Sequence, residues 1–276
     1  MIRNSRGDHF LLITQHDHAL LSGQLAERIG TPRFEAPDPR QPSLLGISLH
    51  DCGWPLHDDS PTLNRQGLPA DVLESTVELA TRVWRGSSAG AAERDPYAGL
   101  LVSLHVLTLS AMIAQHLPPL PTPERREELF LLNQFQQDEI ELQEKLRKQL
   151  GLRTDRPLTL GLADPGIDKE EDRLRFNFAW LRAMDALSLD ACSGRRAFDK
   201  SPAVYPSIGA PAVDLRLAHR EKDLLAIDPW PFGVTKIGLQ VAGKRLPMTP
   251  FADLEAFRAA YTEAPVEMVT LTFARA

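Results

Sequence analysis

Residues 235–243 read "TKIGLQVAG", with Ile237, Leu239 and Val241 at every second position. A period of two places these side chains on one face of an extended strand. The same alternation runs through "AVDLRLAHR" at 212–220 and "EMVTLTFARA" at 267–276, and the short "LLAID" at 224–228 belongs with them. One helical stretch, "FADLEAFRAAY" at 251–261, interrupts the series. Moving toward the N-terminus, the pattern changes near residue 192. Helical spacing then predicts helices over 70–85, 97–117, 123–149 and 168–191, separated by "RGSSAGAAERDP", "PPLPTP" and "GLRTDRPLTLGLADPG".

Further upstream, Ser43 to Gly53 reads as a helix, and the polar 55–69 stretch that follows is rich in turn residues. Prolines at 32, 37, 39 and 42 keep 31–42 irregular. Asp17 is placed to cap a helix ending at Gly30, and "NSRGD" at 4–8 is the turn of a hairpin over 1–14. The expected fold is therefore mainly α. A helical domain fills 15–191, and a small antiparallel α+β appendage fills 192–276 and is joined by the N-terminal hairpin. The boundary at 192 rests on the change of period alone.

The composition narrows the functional classes. The chain has 276 residues, 43% of them apolar and 25% charged, which suits a globular protein with its own core. Net charge is −6, from 31 basic against 37 acidic residues, and no basic cluster recurs on one face, so nucleic acid is not an expected partner. Cys52 and Cys192 have no paired spacing, so a disulfide framework is not indicated, which fits a reducing cytoplasm. The most apolar stretch, "AGLLVSLHVLTLSAMIA" at 98–114, carries Ser103, His105, Thr108 and Ser110 and reads as a buried helix, not a membrane span. A phosphate-cradling glycine loop and a nucleophilic serine elbow are both absent, which ranks kinases and serine hydrolases low.

Several ligand-type residues fall on apolar stripes. His18 shares a stripe with Leu21, Leu25 and Ile29, and His50 shares one with Ile47 and Trp54, with Asp51 one step round. His105 lies inside the most apolar helix, and Asp185 sits between Leu181 and Ser188 on an inward face. An ionised carboxylate buried without a partner is very costly, so a cation or a histidine is expected against Asp185. Each residue alone has a plainer reading: a satisfied core histidine for His18 and His105, pairing with Arg182 or a buried histidine for Asp185. Together, imidazole and carboxylate from separate helices suit a divalent ion such as Fe, Mn, Zn, Ni or Co.

The order and wording of three segments resemble the HD-domain superfamily of metal-dependent phosphohydrolases, whose signature is His…His-Asp…Asp. The segments are "HALLSGQLA" at 18–26, "SLHDCGW" at 48–54 and "AMDALSL" at 183–189. The chain as a whole looks like an uncharacterised bacterial branch known only as a domain of unknown function. The resemblance implies an HD-domain/PDEase-like helical bundle and metal ligation by His18, His50, Asp51 and Asp185. It also implies one or two ions and a small-molecule, possibly phosphorylated, substrate. His105 would hold a second ion or donate a proton to the leaving oxygen, and Asp51 would bridge ions or orient the nucleophile. His116 is too distant, roughly 16 Å further along its helix at 1.5 Å per residue.

His18 is preferred over His16 as first ligand, because it begins the small-residue pattern. Gln15, His16 and Asp17 are candidates to orient the ligands, with capping the plainer role for Asp17, and Cys52 is expected to pack. Arg182 would neutralise a phosphate or, more simply, pair with Asp185. Trp230 in "DPWPF" would form a stacking wall for substrate, or a sheet corner. The sequence departs from the family pattern where Trp54-Pro55 replaces the usual lysine or Gly-Tyr-Pro extension, and in the long gap from Asp51 to Asp185. Two rivals share the ligand set: a di-iron oxygenase-type enzyme and a non-catalytic metal-binding or sensing module. The expected setting is cytoplasmic, with no membrane partner and a possible homo-oligomer.

Overall fold

A computed structural model describes residues 1–116, 122–155, 158, 169–194, 200–221 and 223–276. The expected connections at 118–123 and 151–166 fall largely outside these residues, as does the His116 side chain.

A hairpin of β1 (Ile2–Arg6) and β2 (His9–Ile13) opens the chain and leads into α1 (Gln15–Ala26). Then come α2 (Arg40–Leu49), the single turn α3 (Pro55–Asp58), α4 (Val77–Arg94), α5 (Pro96–His116), α6 (Pro123–Gln149) and α7 (Lys169–Ser193). The C-terminal part supplies β3 (Arg216–Glu221), β4 (Leu224–Asp228), β5 (Lys236–Pro247), α8 (Leu254–Glu263) and β6 (Val266–Arg275).

The expectation of a mainly helical bundle is overturned. About 51% of the described residues are helical and 20% are strand, and the strands form one six-stranded, curled, mixed sheet. Its order is β1-β2-β5-β6-β4-β3. The sheet is mixed rather than antiparallel because β6 returns between β5 and β4 and runs parallel to β4, pairing Leu225 with Phe273. Alternation shows which face of a strand is buried but not which strand lies beside it, so this neighbour was not readable.

One face of the sheet packs on the helices. Leu11, Leu239, Leu271 and Phe273 share a single apolar cluster with Leu25, Leu101, Trp180 and Leu181. Asn4 donates to the Cys192 carbonyl at 2.7 Å across this junction, and Arg6 on β1 grips Asp223 in the β3–β4 turn, toward the other edge of the sheet, through two hydrogen bonds at 2.6 and 2.8 Å. Among the described residues one helix, Pro96–Gln115 within α5, is long and apolar enough to cross a membrane, and 61% of that window is buried inside the protein.

Close helix packing sets up the site. A Cβ at Gly23 on α1 would collide with the Ser48 side chain on α2, so glycine is what lets these two helices cross so tightly. The expected loop "RGSSAGAAERDP" is instead the second half of α4 as far as Arg94. Its small residues form a platform for the turn after α2: Gly53 N donates to Ser87 Oγ at 3.0 Å, and a Cβ on Gly53 would strike the α4 backbone. Helix propensity is weak across this stretch, and tertiary packing overrides it. Nor does Asp17 cap α1. Thr14 does, accepting from Asp17 N at 2.9 Å, so the helix starts earlier and includes both Gln15 and His16.

Candidate metal centre

The site is built where α1, the end of α2, α5 and α7 meet. His18 projects from the first turn of α1, His50 is the C-terminal cap of α2, and Asp51 follows it into the turn. Asp185 comes from the middle of α7 and His105 from the middle of α5. His18 Nε2 lies 3.2 Å from His50 Nε2 and 3.6 Å from Asp185 Oδ1, and His50 Nε2 lies 3.4 Å from the same oxygen. Asp51 Oδ2 stands 3.2 Å from His18 Nε2 and 3.7 Å from His50 Nε2.

Hydrogen bonds behind the rings define what they present. The His50 Nδ1 atom meets the Ile47 carbonyl at 2.7 Å. A carbonyl only accepts, so Nδ1 carries the proton and neutral His50 turns a bare Nε2 to the centre. The Ser188 hydroxyl donates to the Asp185 carbonyl at 3.0 Å, which leaves its oxygen to accept from His18 Nδ1 at 2.6 Å. His18 therefore also presents a bare Nε2. Two nitrogen lone pairs 3.2 Å apart beside carboxylate oxygens repel one another unless a cation sits among them.

A proton or a metal ion can be that cation. Burial works against charge on His50, but Asp51 and Asp185 outweigh it and push the imidazole up to about 9. Burial likewise disfavours the charged Asp185, yet the His50 hydrogen bond and the surrounding imidazoles hold it well below the usual carboxylate range. Asp51 is also lowered against the cost of its burial, chiefly by His50 and His18. The donors fit a metal too. Ligands about 2.0–2.2 Å from one ion lie roughly 3.0–3.5 Å from each other in tetrahedral or octahedral arrangement, close to the separations here. His18, His50 and Asp185 form a group of donors whose ligand atoms all lie within 4.8 Å of one another.

Asp51 is anchored from two sides. Trp54 Nε1 donates to Oδ1 at 3.1 Å and Gln15 Nε2 donates to Oδ2 at 3.2 Å. In the sequence, Trp54 falls on an apolar stripe and at the departure from the family pattern, with no acceptor assigned to its N–H. A buried indole N–H needs an acceptor, and Asp51 three residues earlier was within its reach, so the signal was present. Cys52 donates weakly to the Ser87 carbonyl at 3.4 Å and makes no approach to the centre.

His105 stands one step out. Its Nε2 is 3.6 Å from Asp185 Oδ2, the oxygen turned away from the His18–His50 pair. Burial pushes His105 down to about 4, so it is neutral at pH 7. Beside it opens a cavity of about 290 Å³. Gln15, Asp51, Ser75, His105 and Asp185 are its polar lining, and Trp54, Val72, Trp84, Leu109, Ile113 and Leu189 form most of its walls. Neither Arg182 nor Trp230 lines it. Arg182 lies over the Phe178 ring, 5.8 Å from its centroid, and Trp230 packs against Phe232 and donates to the Val234 carbonyl.

A family described as a protein of unknown function, DUF3891, matches residues 1–248. No curated protein and no solved structure gives a significant match.

Proposed function

Starting from a chain that belongs to the DUF3891 family, we propose that it is a metal-dependent hydrolase whose ion is held by the His and Asp residues of its HD-like segments. One observation carries the reading: imidazole nitrogens and carboxylate oxygens from three separate segments converge at 3.2–3.7 Å beside a cavity large enough for a small molecule. His18, His50, Asp51 and Asp185 would hold a divalent ion. When bound at such a site, that ion supplies Lewis acidity and acidifies water toward neutral pH.

The protein's own groups divide the remaining tasks. Asp51 already accepts hydrogen bonds from Trp54 and Gln15, which makes it a ligand and a poor proton acceptor. Asp185 turns Oδ1 to the imidazole pair and Oδ2 to His105, so its outer oxygen can accept a hydrogen bond from an attacking water. His105, uncharged at neutral pH, can orient a substrate oxygen without adding charge. The apolar walls exclude bulk water, which strengthens each of these interactions.

The test is turnover of a panel of carboxyl esters, amides and phosphoesters by protein stripped of metal and then reloaded singly with Zn, Mn, Fe, Co or Ni. Hydrolysis that appears only on reloading, and that Asp185→Asn abolishes, is the expected outcome. Stoichiometric metal without turnover of any substrate would favour a metal-binding module instead.

A further inference from the structure

We infer that the substrate is a neutral molecule with an apolar body and one hydrogen-bond donor at its head, and not a phosphorylated compound. This deepens the hydrolase reading, because it rests on that cavity being the place of reaction.

The first observation is the charge of the lining. The cavity presents two carboxylates, Asp51 and Asp185, and no Lys or Arg among the described residues. Phosphate sites ordinarily surround the anion with guanidinium, ammonium or backbone N–H donors. Here a single divalent ion would already be neutralised by the two aspartates. A phosphoester carrying one or two further negative charges would be buried without a partner, which is strongly unfavourable.

The second observation is the wall chemistry. Trp54 and Trp84 give aromatic surfaces, and Leu109 and Leu189 extend them. Leu73 and Met112, both exposed, carry the apolar surface outward. An apolar cavity of roughly 150 Å³ accommodates benzene. At about 290 Å³ this one has room for a two-ring body.

The third observation is Gln15. Asp51 accepts only, so the Gln15 amide must turn its NH₂ group to that carboxylate and its oxygen elsewhere. Gln15 Oε1 is buried and has no hydrogen-bond partner, and Gln15 lines the cavity. A buried acceptor without a partner is costly, and a ligand N–H or O–H would satisfy it. A phosphoester dianion brings no donor. A neutral amide brings one.

Two probes with the same naphthalene body separate the alternatives: 1-naphthaleneacetamide and 1-naphthyl phosphate. Their binding to the full-length protein is read by tryptophan fluorescence and calorimetry, with and without added Zn. The acetamide is expected to bind at least about ten-fold more tightly than the phosphate in both states, as burial of an unpaired charge requires. Ala80→Leu, which fills the cavity from α4, and Leu109→Gln, at a partly exposed wall position that tolerates polarity, should each weaken acetamide binding. Unchanged melting temperature and metal content would show that these variants are folded. Equal or tighter binding of the phosphate, or acetamide affinity indifferent to both variants, would overturn the inference. Loss of the hydrolase reading looks different: acetamide binding would persist in protein that retains no metal.

Discussion

Two acids five residues apart on α7 meet histidine in opposite ways. Asp190 is fully buried, and His219 Nε2 reaches it at 2.7 Å, the length of a closed, charge-assisted hydrogen bond. Asp185 keeps 20% of its side chain open and faces three imidazoles, His18, His50 and His105, at 3.4–3.6 Å. The first pair is complete: it joins α7 to strand β3 and is a structural tie. The second arrangement has too many acceptors and leaves a gap between them. The same residue types on one helix therefore form a closed tie at one position and part of a candidate metal-binding triad about one and a half turns away. The spacing of the donor atoms distinguishes them.

Breaking each acid in turn gives the widest contrast. Asp185→Ala and His50→Ala should lower bound metal several-fold, as read by elemental analysis. Asp190→Ala should keep full metal content and lose about 3 kcal/mol of unfolding free energy, as expected when one partner of a buried pair is removed. Metal loss in Asp190→Ala equal to that in Asp185→Ala would erase the distinction.

A smaller effect is expected behind the centre. Trp54→Phe keeps the ring but removes the N–H that fixes Asp51 Oδ1. Loss of such an orienting donor costs roughly 10–100-fold in metal affinity, measurable by competition with a chelator. An unchanged affinity would mean that Asp51 is held well enough by Gln15 alone.

The pH dependence sharpens the same point. Without metal, the cation of the site is the proton on His50, whose pKa is raised to about 9 by Asp51 and Asp185 against the cost of burial. That proton must leave when metal binds, so apparent affinity should fall by up to about ten-fold for each pH unit below 9. For stability of the metal-free protein the sign is opposite. A raised histidine pKa contributes stability that is fully present below about 6.5 and is lost as pH rises through 9. Calorimetry at pH 7 in buffers of different ionisation enthalpy should show proton release, and none would be seen if His50 were already neutral.

Much of the centre was legible in the sequence because helical spacing converts position into direction. His18, His50 and Asp185 each fell on an inward stripe, and the structure brings their donor atoms within 4.8 Å of one another. Helix α6 runs over the span its spacing predicts, Pro123–Gln149. The sheet was legible only strand by strand. The alternation of β5 and β6 shows plainly, yet the parallel placement of β6 beside β4 depends on how α8 returns the chain, which local patterning does not encode. The second half of α4 was misread because glycine, serine and alanine usually signal a loop. Here they are small so that the turn bearing His50 and Asp51 can lie against the helix. The cavity lining was the least legible. Trp84, Leu109 and Leu189 look like ordinary core residues until the cavity they enclose is seen.

Elemental analysis of the full-length protein, purified without a metal-affinity tag, tests the convergence of these donors most directly. About one divalent ion per chain is expected, as for a centre built from a single ligand set, and it should be absent from Asp185→Ala. Wild-type protein that holds no stoichiometric ion even after reconstitution, or an Asp185→Ala variant that holds it fully, would contradict the metal centre.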